Sequence, residues 1–436
     1  MSKERLQAEA KRVLRGNRIS DYTVPCKALY PFQWNWDAGF TCLGWSHIDI
    51  DLVVEEYRSL FRGQWKNGMI PHIIFHSKQQ DGYFPNASYW QSGALDYSSD
   101  EVLTSGITQP PVHGFILEHL LKRHGNNKQL MMLAEELYPA IMGCHNQLYK
   151  DRDPQGEGLV YIYHPWESGR DNSPVWDEVL ERIKVDQKEL PHYKRVDNLK
   201  ADPSHRPTDE DYMKYVYLME IGRKSGYQGR DIEYNSPFLV QDTLFNAMLI
   251  ASEKSLVRLG KMLGKNTTAT QERLETSEHT YRNKLWNDAL DTFVCYDLKT
   301  SRQMEYREIG GLAAMFAEVP DVHQSKLMTR SIAKMLTERA FYLQPSFDTE
   351  HSYFDPKRYW KGPVWPQMNW LIHHGLLKYQ YIKEAETVKE DLLQLVSTYG
   401  FFEYFDPRID MEEKNHRGYG GKDFSWTSAV ILDFIS

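Results

Sequence analysis

A pattern recurs six times along this chain of 436 residues. In each occurrence, a loop rich in aromatic, amide and carboxylate side chains is followed at once by an apolar helical segment. These segments begin near Asp37, Gln109, Gln241, Gly310, Gly362 and Phe424. Successive starts lie about 50–70 residues apart, the length of a helical hairpin with its connections, and the step after Gln109 is about twice as long. The repeat predicts a toroid of helical hairpins whose loops gather at one mouth.

Helical periodicity dominates the rest of the chain. Strand-like runs are short, at 158–163, 292–296 and 401–405. Apolar residues at three-and-four spacing predict helices over 3–15, 110–122, 127–148, 209–224, 240–260, 269–286, 323–337, 363–380 and 382–398. We therefore predict an all-α fold in which helices richer in Lys and Glu surround the apolar ones.

No linker rich in Pro, Gly or Ser divides the chain, so we predict a single domain over residues 1–436. One segment, residues 173–207, breaks the rhythm of the repeat. Long excursions of this kind in compact domains are usually functional. We expect this segment to be an insertion that forms a lid over the mouth.

Charge and hydropathy exclude several classes of partner. The net charge is −8 with both signs interspersed, so no basic face for nucleic acid is expected. No run of about 18 apolar residues predicts a membrane span, and the first residues indicate an amphipathic helix rather than a signal peptide. The four cysteines lack metal or disulfide spacing, which favours free thiols in a cytoplasmic protein. No heptad or long edge strand indicates an oligomeric state.

The sequence also lacks the common cofactor motifs. It has no phosphate-binding glycine loop, no dinucleotide fingerprint and no GxSxG. Residues 151–162 begin like a calcium loop, but Ile162 stands where a bidentate Glu is required. His72 and His76 have no evident third ligand. We expect no cofactor and no metal.

Aromatic residues are abundant, at 13% of the chain, and many lie in polar stretches that contain glycine. Flat apolar faces beside carboxylates and amides suit a carbohydrate, whose C–H faces stack while its hydroxyls need donors and acceptors. An ordinary aromatic core would explain the same composition. Composition alone leaves both explanations open.

Two carboxyl groups are needed to hydrolyse a glycosidic bond, one as acid and one as base or nucleophile. Asp171 lies in WESGRDNSPVW (166–176), a stiff aromatic turn of the kind that raises a carboxyl pKa by desolvation. Glu167 competes with it on the same evidence, and simple turn chemistry is a third possibility. Glu403, flanked by aromatic residues in FFEYFDP, is the candidate second carboxyl unless it faces outward from a short strand.

Three further features could bind a sugar or its aglycone. Asp37, next to Trp36, could hold sugar hydroxyls or cap the following helix. Arg206 could form a bidentate contact with an anionic substrate or only a surface salt bridge. In the stretch PKRYWKGPVWPQMNW (356–370), two prolines stiffen an aromatic wall made of Tyr359, Trp360 and Trp365.

Nine ordered stretches together resemble glycoside hydrolase family 63, and within it the bacterial and plant hydrolases of glucosylglycerate and mannosylglycerate. The resemblance runs over essentially the full length. Its carriers are YPFQWNWDAGF, QWKNGMIPHIIF, DGYFPNASYW, LTSGITQPPVHG, HPWESGRDNSPVWD, DPSHRPTDEDYMKYVYL, RYWKGPVWP, FFEYFDP and FSWTSAVILDF.

The resemblance implies an (α/α)6 barrel, inversion of the anomeric centre and no required metal, with Asp171 as general acid and Glu403 as general base. The sugar subsite would be lined by Tyr30, Trp36, Asp37, Gln109 and Trp365. The residues that contact the glycerate would be Tyr83, Arg206, Tyr212, Tyr359 and Trp360. The Arg206 guanidinium would neutralise the glycerate carboxylate.

We therefore expect an inverting α-glycoside hydrolase that releases the free hexose and glycerate from glucosylglycerate, mannosylglycerate or both, a small anionic glycoside in either case. Inversion requires the two carboxyl groups to lie about 6.5–9.5 Å apart. Two alternatives keep the barrel. One is a hydrolase of neutral α-glucosides or of a trehalose-like disaccharide, and the other is a sugar-binding toroid without catalysis.

Overall fold

Helices make up most of the structure, a computed structural model that describes residues 1–76, 82–125, 127–195, 202–409 and 417–436. In chain order, α1 to α8 are Lys3–Asn17, Asn35–Ser46, Ile50–Phe61, Ala87–Trp90, His113–Arg123, Lys128–Arg152, Asp177–Glu181 and Asp209–Lys224. Helices α9 to α16 are Gly229–Asn235, Thr243–Met262, Thr268–Lys284, Ile309–Leu312, Val322–Glu338, Pro366–Lys378, Ile382–Tyr399 and Ser425–Ile435.

The strands are short and form five small antiparallel sheets in the described residues. Strands β1 to β6 are Arg18–Ile19, Tyr22–Thr23, Gln33–Trp34, Ile73–Phe75, Leu103–Thr104 and Val240–Gln241. Strands β7 to β12 are Trp286–Asn287, Thr292–Phe293, Tyr296–Asp297, Arg302–Gln303, Phe402–Phe405 and Gly418–Lys422. The β11–β12 hairpin carries Glu403 and matters most for the site below.

Six helical segments contact one another in a closed cycle. Helix α2 contacts α5, α5 contacts α10, and α10 contacts α12 and the 3-10 turn Ala313–Met315 that continues it. That turn contacts α14, α14 contacts α16, and α16 returns to α2. Every residue of α2 is buried, as expected for a helix with neighbours on all sides. These are the six apolar segments that follow the polar-aromatic loops of the sequence.

Longer and more polar helices pack outside this cycle. Helix α1 contacts α16, α3 contacts α2, α6 contacts α5 and α10, α11 contacts α10, and α15 contacts α14. Helix α13 contacts α15. The prediction of surrounding helices rich in Lys and Glu therefore agrees with the observed contacts.

The boundaries of the long predicted helices agree well with the sequence pattern, but several differences occur. Helix α3, over Ile50–Phe61, and the short helices α4, α7 and α9 were not among the predicted helices. The apolar segment near Gly310 is shorter than predicted, because it is one helical turn followed by a 3-10 turn. The run 158–163 is not a strand and makes a single bridge between Ile162 and Val240. The fold is mostly helical, with small hairpins added, rather than purely α.

The start of α8 is fixed by a capping box. The Thr208 side chain accepts from the Asp211 backbone N–H, and the Asp211 side chain accepts from the Thr208 backbone N–H. Acidic residues fill the first turn, and Arg223 and Lys224 fill the last one, which complements the helix dipole. Arg206 precedes this cap by two residues, so the cap sets the position from which Arg206 reaches the site.

Among the residues described, none of the helices combines the length and the apolar character needed to cross a bilayer.

Candidate active site

Two adjoining cavities share the wall residues Tyr30, Trp34, Gln109 and Asp171. The inner cavity, of about 410 Å³, is also lined by carboxylates and flat aromatic side chains, which include Trp36, Asp37, Tyr359, Trp360, Trp365, Glu403, Phe424 and Trp426. The outer cavity, of about 760 Å³, is also lined by His72, Tyr83, Phe84, Trp166, Arg206 and Tyr212. Asp171 therefore lies on the boundary between an inner carboxylate-rich cavity and an outer cavity with a buried arginine.

The backbone turn that carries Asp171 is held from several sides. The Tyr215 hydroxyl donates to the Asp171 carbonyl oxygen at 2.7 Å, and the Trp176 indole N–H donates to the Arg170 carbonyl oxygen at 2.7 Å. The Arg170 guanidinium is buried in ion pairs with two carboxylates, Asp242 and Glu308. Neighbouring side chains thus bind the backbone of this turn on both sides of the Arg170–Asp171 peptide, which defines the direction of the Asp171 Cα–Cβ bond.

Glu167, the rival carboxyl in the same stretch, has a structural environment. It is fully buried, and both of its oxygens bind the Arg152 guanidinium, at 2.9 and 3.0 Å. The backbone N–H groups of Tyr163 and Thr108 donate to it as well, at 2.9 and 3.3 Å. Glu167 lines neither cavity. The two carboxyls that the sequence left equivalent are thus distinguished by their surroundings.

Glu403 faces inward from strand β11 and is 1% exposed, so the outward-facing alternative is wrong. Its Oε1 accepts from the Tyr30 hydroxyl at 3.0 Å and from the Tyr359 hydroxyl at 3.4 Å. Its Oε2 accepts from the Gly421 backbone N–H at 2.8 Å. Three donors from three separate segments hold the carboxylate at the wall of the inner cavity.

Three carboxyls line the inner cavity, and two of them, Asp37 and Glu403, have different surroundings. Burial raises the pKa of Asp37 well above its usual range, and the charges of Glu403 and Asp171 raise it further. Burial also raises the pKa of Glu403, but the Arg206 charge and the hydrogen bonds from Gly421, Tyr30 and Tyr359 oppose that rise. Of the two, Glu403 is ionised more readily, because the positive charge of Arg206 opposes the effect of burial on its pKa.

Asp37 does not cap its helix. The N-cap residue of α2 is Trp34, and Asp37 lies in the first turn of that helix, 5% exposed. A carboxyl there faces the positive end of the helix dipole. Of the two alternatives that the sequence left open for Asp37, the capping role is therefore wrong, and the side chain lines the inner cavity.

Stacked aromatic rings form one wall of the inner cavity. The Trp360 and Trp365 rings are parallel, with centroids 3.8 Å apart and an interplanar angle of 6°. Trp365 also stacks on Tyr404 at 4.7 Å. Pro366 at the first position of α14 fixes the backbone immediately after Trp365. The aromatic residues of this proline-containing stretch therefore pack against one another along the cavity.

Another part of the cavity wall depends on a close approach at Gly169. Its φ is +70°, and a Cβ atom there would lie 2.6 Å from the Trp36 ring. Trp36 can therefore pack directly over the turn that leads into Asp171. The Trp36 backbone N–H donates to Gln109 Oε1 at 3.3 Å, which ties this helix start to a second wall residue.

The outer cavity contains a buried arginine, Arg206, which is 6% exposed. Its guanidinium donates to the Tyr30 hydroxyl oxygen at 3.3 Å from each of Nη1 and Nη2. The same guanidinium lies over the Tyr359 ring, 4.5 Å from its centroid. A surface salt bridge, the simpler interpretation of Arg206, does not fit a buried position between two tyrosines.

The sequence matches the family described as Mannosylglycerate hydrolase MGH1-like glycoside hydrolase domain over residues 30–427. A mannosylglycerate hydrolase of Rubrobacter radiotolerans is 36% identical, with 99% of this chain and 97% of the relative covered. The crystal structure of the GH63 mannosylglycerate hydrolase from Thermus thermophilus in complex with Tris has a TM-score of 0.91 at 36% identity, and the match covers 99% of this chain and 100% of that chain. The chain belongs to glycoside hydrolase family 63.

The resemblance inferred from the nine sequence stretches is therefore confirmed, and this family 63 protein is a glycoside hydrolase. A glucosylglycerate hydrolase of Mycolicibacterium hassiacum is 30% identical, with 99% of this chain and 97% of the relative covered. Further crystal structures of the Thermus enzyme, with Tris and D-glycerate and with glucose, have TM-scores of 0.91 and 0.88.

All twelve site residues predicted for this family 63 enzyme line one or both cavities. Tyr83 and Tyr212, which were predicted together with Arg206, line the outer cavity with it. Tyr359 and Trp360 were expected there too, but they line the inner cavity. Tyr359 still contacts the Arg206 guanidinium through its ring face, so it lies between the two groups of residues.

Sequence reasoning missed several wall residues of the enzyme. Trp34 lines both cavities, although only Tyr30, Trp36 and Asp37 were selected from the same motif. Trp426 lines the inner cavity, and its indole N–H donates to the Glu403 carbonyl oxygen at 3.3 Å. The FSW stretch before the last helix contained this signal. Gly421 gave no signal of its own, because its contribution is a backbone N–H.

Proposed function

We propose that the protein is an inverting α-glycosidase that hydrolyses mannosylglycerate, glucosylglycerate or both to the free hexose and glycerate. The observation that carries this proposal is the position of Asp171 on the boundary of two cavities. One cavity holds Glu403 and Asp37, and the other holds Arg206. A glycoside with its sugar in the inner cavity and its aglycone in the outer one would present its glycosidic oxygen near Asp171.

In this arrangement Asp171 is the general acid and Glu403 the general base. Asp171 donates its proton to the glycosidic oxygen as the bond to the anomeric carbon breaks. Glu403 takes a proton from a water molecule that attacks the opposite face of the sugar ring. The buried and hydrogen-bonded position of Glu403 supports the assignment, since the carboxylate is held in one orientation.

The inner cavity provides a hexose subsite. A protonated Asp37 donates to a sugar hydroxyl, and Gln109 and Tyr30 contribute an amide and a hydroxyl. The rings of Trp36 and Trp365 pack against the C–H faces of the sugar. These assignments rest on the lining of the cavity and on the polarity of each group.

The outer cavity provides the aglycone subsite, and Arg206 binds the glycerate carboxylate there. A guanidinium suits this role because its parallel N–H groups match the two oxygens of a carboxylate. Tyr83 and Tyr212 complete the pocket. Because the named relatives act on mannosylglycerate or on glucosylglycerate, both compounds are candidate substrates.

The closed cycle of helix contacts supports an (α/α)6 barrel of one domain over residues 1–436, with the cavities at one mouth. The four cysteines, which are all buried and free, support a cytoplasmic location.

A segment covering the mouth, residues 173–207, is proposed to act as a lid; its residues 196–201 lie outside the described residues. Tyr193 stacks on Phe84 with centroids 5.3 Å apart, and Arg195 lies 4.5 Å from the Tyr212 ring centroid. At the other end of the segment, the rings of His205 and Tyr419 have their centroids 5.1 Å apart.

Closure of this segment over the mouth is tested by hydrogen exchange. Slower exchange in this segment with glycerate supports the lid, and unchanged exchange argues against it.

The direct test measures hydrolysis of mannosylglycerate and glucosylglycerate side by side, with maltose and trehalose as neutral controls. Asp171→Ala serves as the blank. Release of sugar from a glycerate compound alone supports the proposal and identifies the hexose. Activity only on the neutral disaccharides would instead favour the neutral-glucoside alternative.

The stereochemical part of the proposal is tested on the same reaction by proton NMR. An inverting enzyme releases the β-anomer of the hexose first, and the α-anomer grows in later by mutarotation. If the α-anomer appears first, a covalent intermediate is indicated, and Glu403 cannot act only as a base.

A further inference from the structure

Three side chains link the outer cavity to the proposed base. The Arg206 guanidinium donates to the Tyr30 hydroxyl oxygen from two nitrogens, each at 3.3 Å. The Tyr30 hydroxyl donates in turn to Glu403 Oε1 at 3.0 Å. Arg206 is 6% exposed and Glu403 is 1% exposed, so bulk water screens their interaction weakly.

We propose that Tyr30 is a positioning residue through which the occupancy of Arg206 controls the basicity of Glu403, so that a carboxylate on the leaving group activates the base. This inference rests on the roles of Arg206 and Glu403 in the proposed function. It adds that an anionic substrate is selected in turnover as well as in binding.

Without a substrate carboxylate, the Arg206 charge weakens the base. A phenol whose oxygen accepts from a guanidinium is a stronger acid, and so it donates a stronger hydrogen bond to Glu403. Both this bond and the positive charge favour the ionised carboxylate over the protonated one. A carboxylate that is stabilised in this way accepts a proton from water less readily.

A carboxylate bound in the outer cavity reverses both effects. It takes guanidinium N–H groups into its own hydrogen bonds, which leaves the Tyr30 oxygen less polarised. Its negative charge also offsets the charge of Arg206 near Glu403. A neutral aglycone does neither, and Glu403 then remains a weak base even when the sugar is correctly bound.

The electrostatics of Glu403 agree with this chain of contacts. Burial raises the pKa of Glu403, and the Arg206 charge is the strongest of the influences that lower it. Cys26, Asp37, Tyr359 and Tyr404 also interact electrostatically with Glu403, and Asp171 lines the same cavity. Of these groups, Asp171 also lines the outer cavity and Tyr359 also contacts the Arg206 guanidinium, so a variant of Tyr359 serves as the control for the role of Tyr30.

The test compares a glycerate glycoside with the matched glycerol glycoside, in which the carboxylate is replaced by a hydroxymethyl group. The acidic limb of kcat reports the base in the substrate complex, and that of kcat/KM reports the free enzyme. With the glycerate glycoside we expect the apparent pKa of the acidic limb to be about one pH unit higher in the kcat profile than in the kcat/KM profile. With the glycerol glycoside we expect the two limbs to coincide.

Tyr30→Phe removes the link and keeps Arg206. For each substrate, the separation between the acidic limbs of kcat and kcat/KM is measured. In this variant the difference in that separation between the glycerate and glycerol glycosides should fall to less than half of its wild-type value. The matched control is Tyr359→Phe, which also removes a hydroxyl that donates to Glu403. It removes a 3.3 Å contact between the Tyr359 and Tyr30 hydroxyls as well, but it keeps the Arg206–Tyr30 and Tyr30–Glu403 hydrogen bonds, so the difference between substrates should persist even where the absolute pH limits shift. Neither change alters the ionisation of the substrate itself.

Each outcome decides between the two proposals. If the wild type hydrolyses the glycerate glycoside and Glu403→Gln does not, but the limbs coincide, the coupling is wrong and the proposed function stands. If Tyr30→Phe and Tyr359→Phe reduce the difference equally, Tyr30 is not the link, and this inference is overturned. If the wild type hydrolyses no glycerate glycoside, the proposed function fails and the coupling fails with it.

Discussion

Arg152 binds both carboxylate oxygens of Glu167, with Nη1–Oε2 at 2.9 Å and Nη2–Oε1 at 3.0 Å. Glu167 lies only four residues before Asp171, yet its side chain is committed to a fully buried ion pair. Asp171 is partly exposed and lines both cavities. The same short stretch of sequence therefore supplies one carboxyl for stability and one that can meet a substrate.

Replacing each of these carboxyls should produce opposite phenotypes. Glu167→Gln leaves the Arg152 charge buried without a counter-ion, so we expect the free energy of unfolding to fall by about 3–5 kcal/mol. Asp171→Asn should unfold at nearly the wild-type temperature but lose about 10³-fold in kcat, because a proton donor is removed. Thermal unfolding and kcat on a glycerate glycoside, measured well below Tm, distinguish the two. A stable and inactive Glu167→Gln variant would transfer the acid role to Glu167.

Glu56 should make stability depend on pH around neutrality. It is fully buried, accepts from Thr23 Oγ1 at 2.6 Å and from Gln33 Nε2 at 2.7 Å, and burial raises its pKa to about 7. A carboxyl with a raised pKa stabilises the fold fully below the unfolded value, about 4.3, and that contribution is lost as the pH rises to about 7.

Glu56→Gln, a neutral mimic of the protonated acid, provides the comparison. Between about pH 4 and pH 7 the wild type should lose roughly 3 kcal/mol of unfolding free energy relative to this variant. Urea titrations at pH 4.5, 5.5, 6.5 and 7.5 would measure the loss. A difference that stays constant over this range would mean that Glu56 remains ionised in the folded protein.

Asp433 should show the opposite dependence. Its carboxylate accepts from the Trp370 indole N–H at 2.8 Å and contacts the ring nitrogens of His47 and His119, each at 3.2 Å. Hydrogen bonds from these histidines hold the pKa of Asp433 well below its usual range, despite burial.

The stabilising contribution of Asp433 is therefore present above the unfolded pKa, about 3.9, and is lost as the pH falls below it. Relative to Asp433→Asn, we expect the wild type to be more stable by about 2 kcal/mol at pH 7, the scale of a hydrogen bond to a charged group. Unfolding curves at pH 7 and pH 3 measure both values. An advantage that grows towards pH 3 would contradict the assignment.

The sequence predicted well those features that depend on residue type and period. Helix α8 was predicted with its observed bounds, 209–224, from the spacing of its apolar residues alone. Glu403 was selected because a carboxylate among aromatic residues is unusual.

Other features depend on backbone groups or on contacts distant in sequence. The Gly421 N–H that binds Glu403 could be supplied by almost any residue type, so nothing in the sequence marks it. Glu167 could not be separated from Asp171, because its partner Arg152 is 15 residues away and belongs to another helix. Tyr359 lies on the inner side because its hydroxyl reaches Glu403, 44 residues later.

Gly420 should be essential for the position of the proposed base. Its φ is +71°, and a Cβ atom there would lie 2.2 Å from Glu403 Oε2. Gly420→Ala must therefore displace the carboxylate. We expect kcat to fall about 10²-fold or more, the cost of misplacing a reacting group by about 1 Å.

The matched control is Gly400→Ala. Gly400 also has a positive φ, +97°, but the nearest atom to its Cβ would be 4.0 Å away. Both variants should lose about 1–3 kcal/mol of stability through backbone strain, and only Gly420→Ala should lose turnover. Equal kcat values for the two variants, measured while both are folded, would show that the position of Glu403 does not limit the reaction.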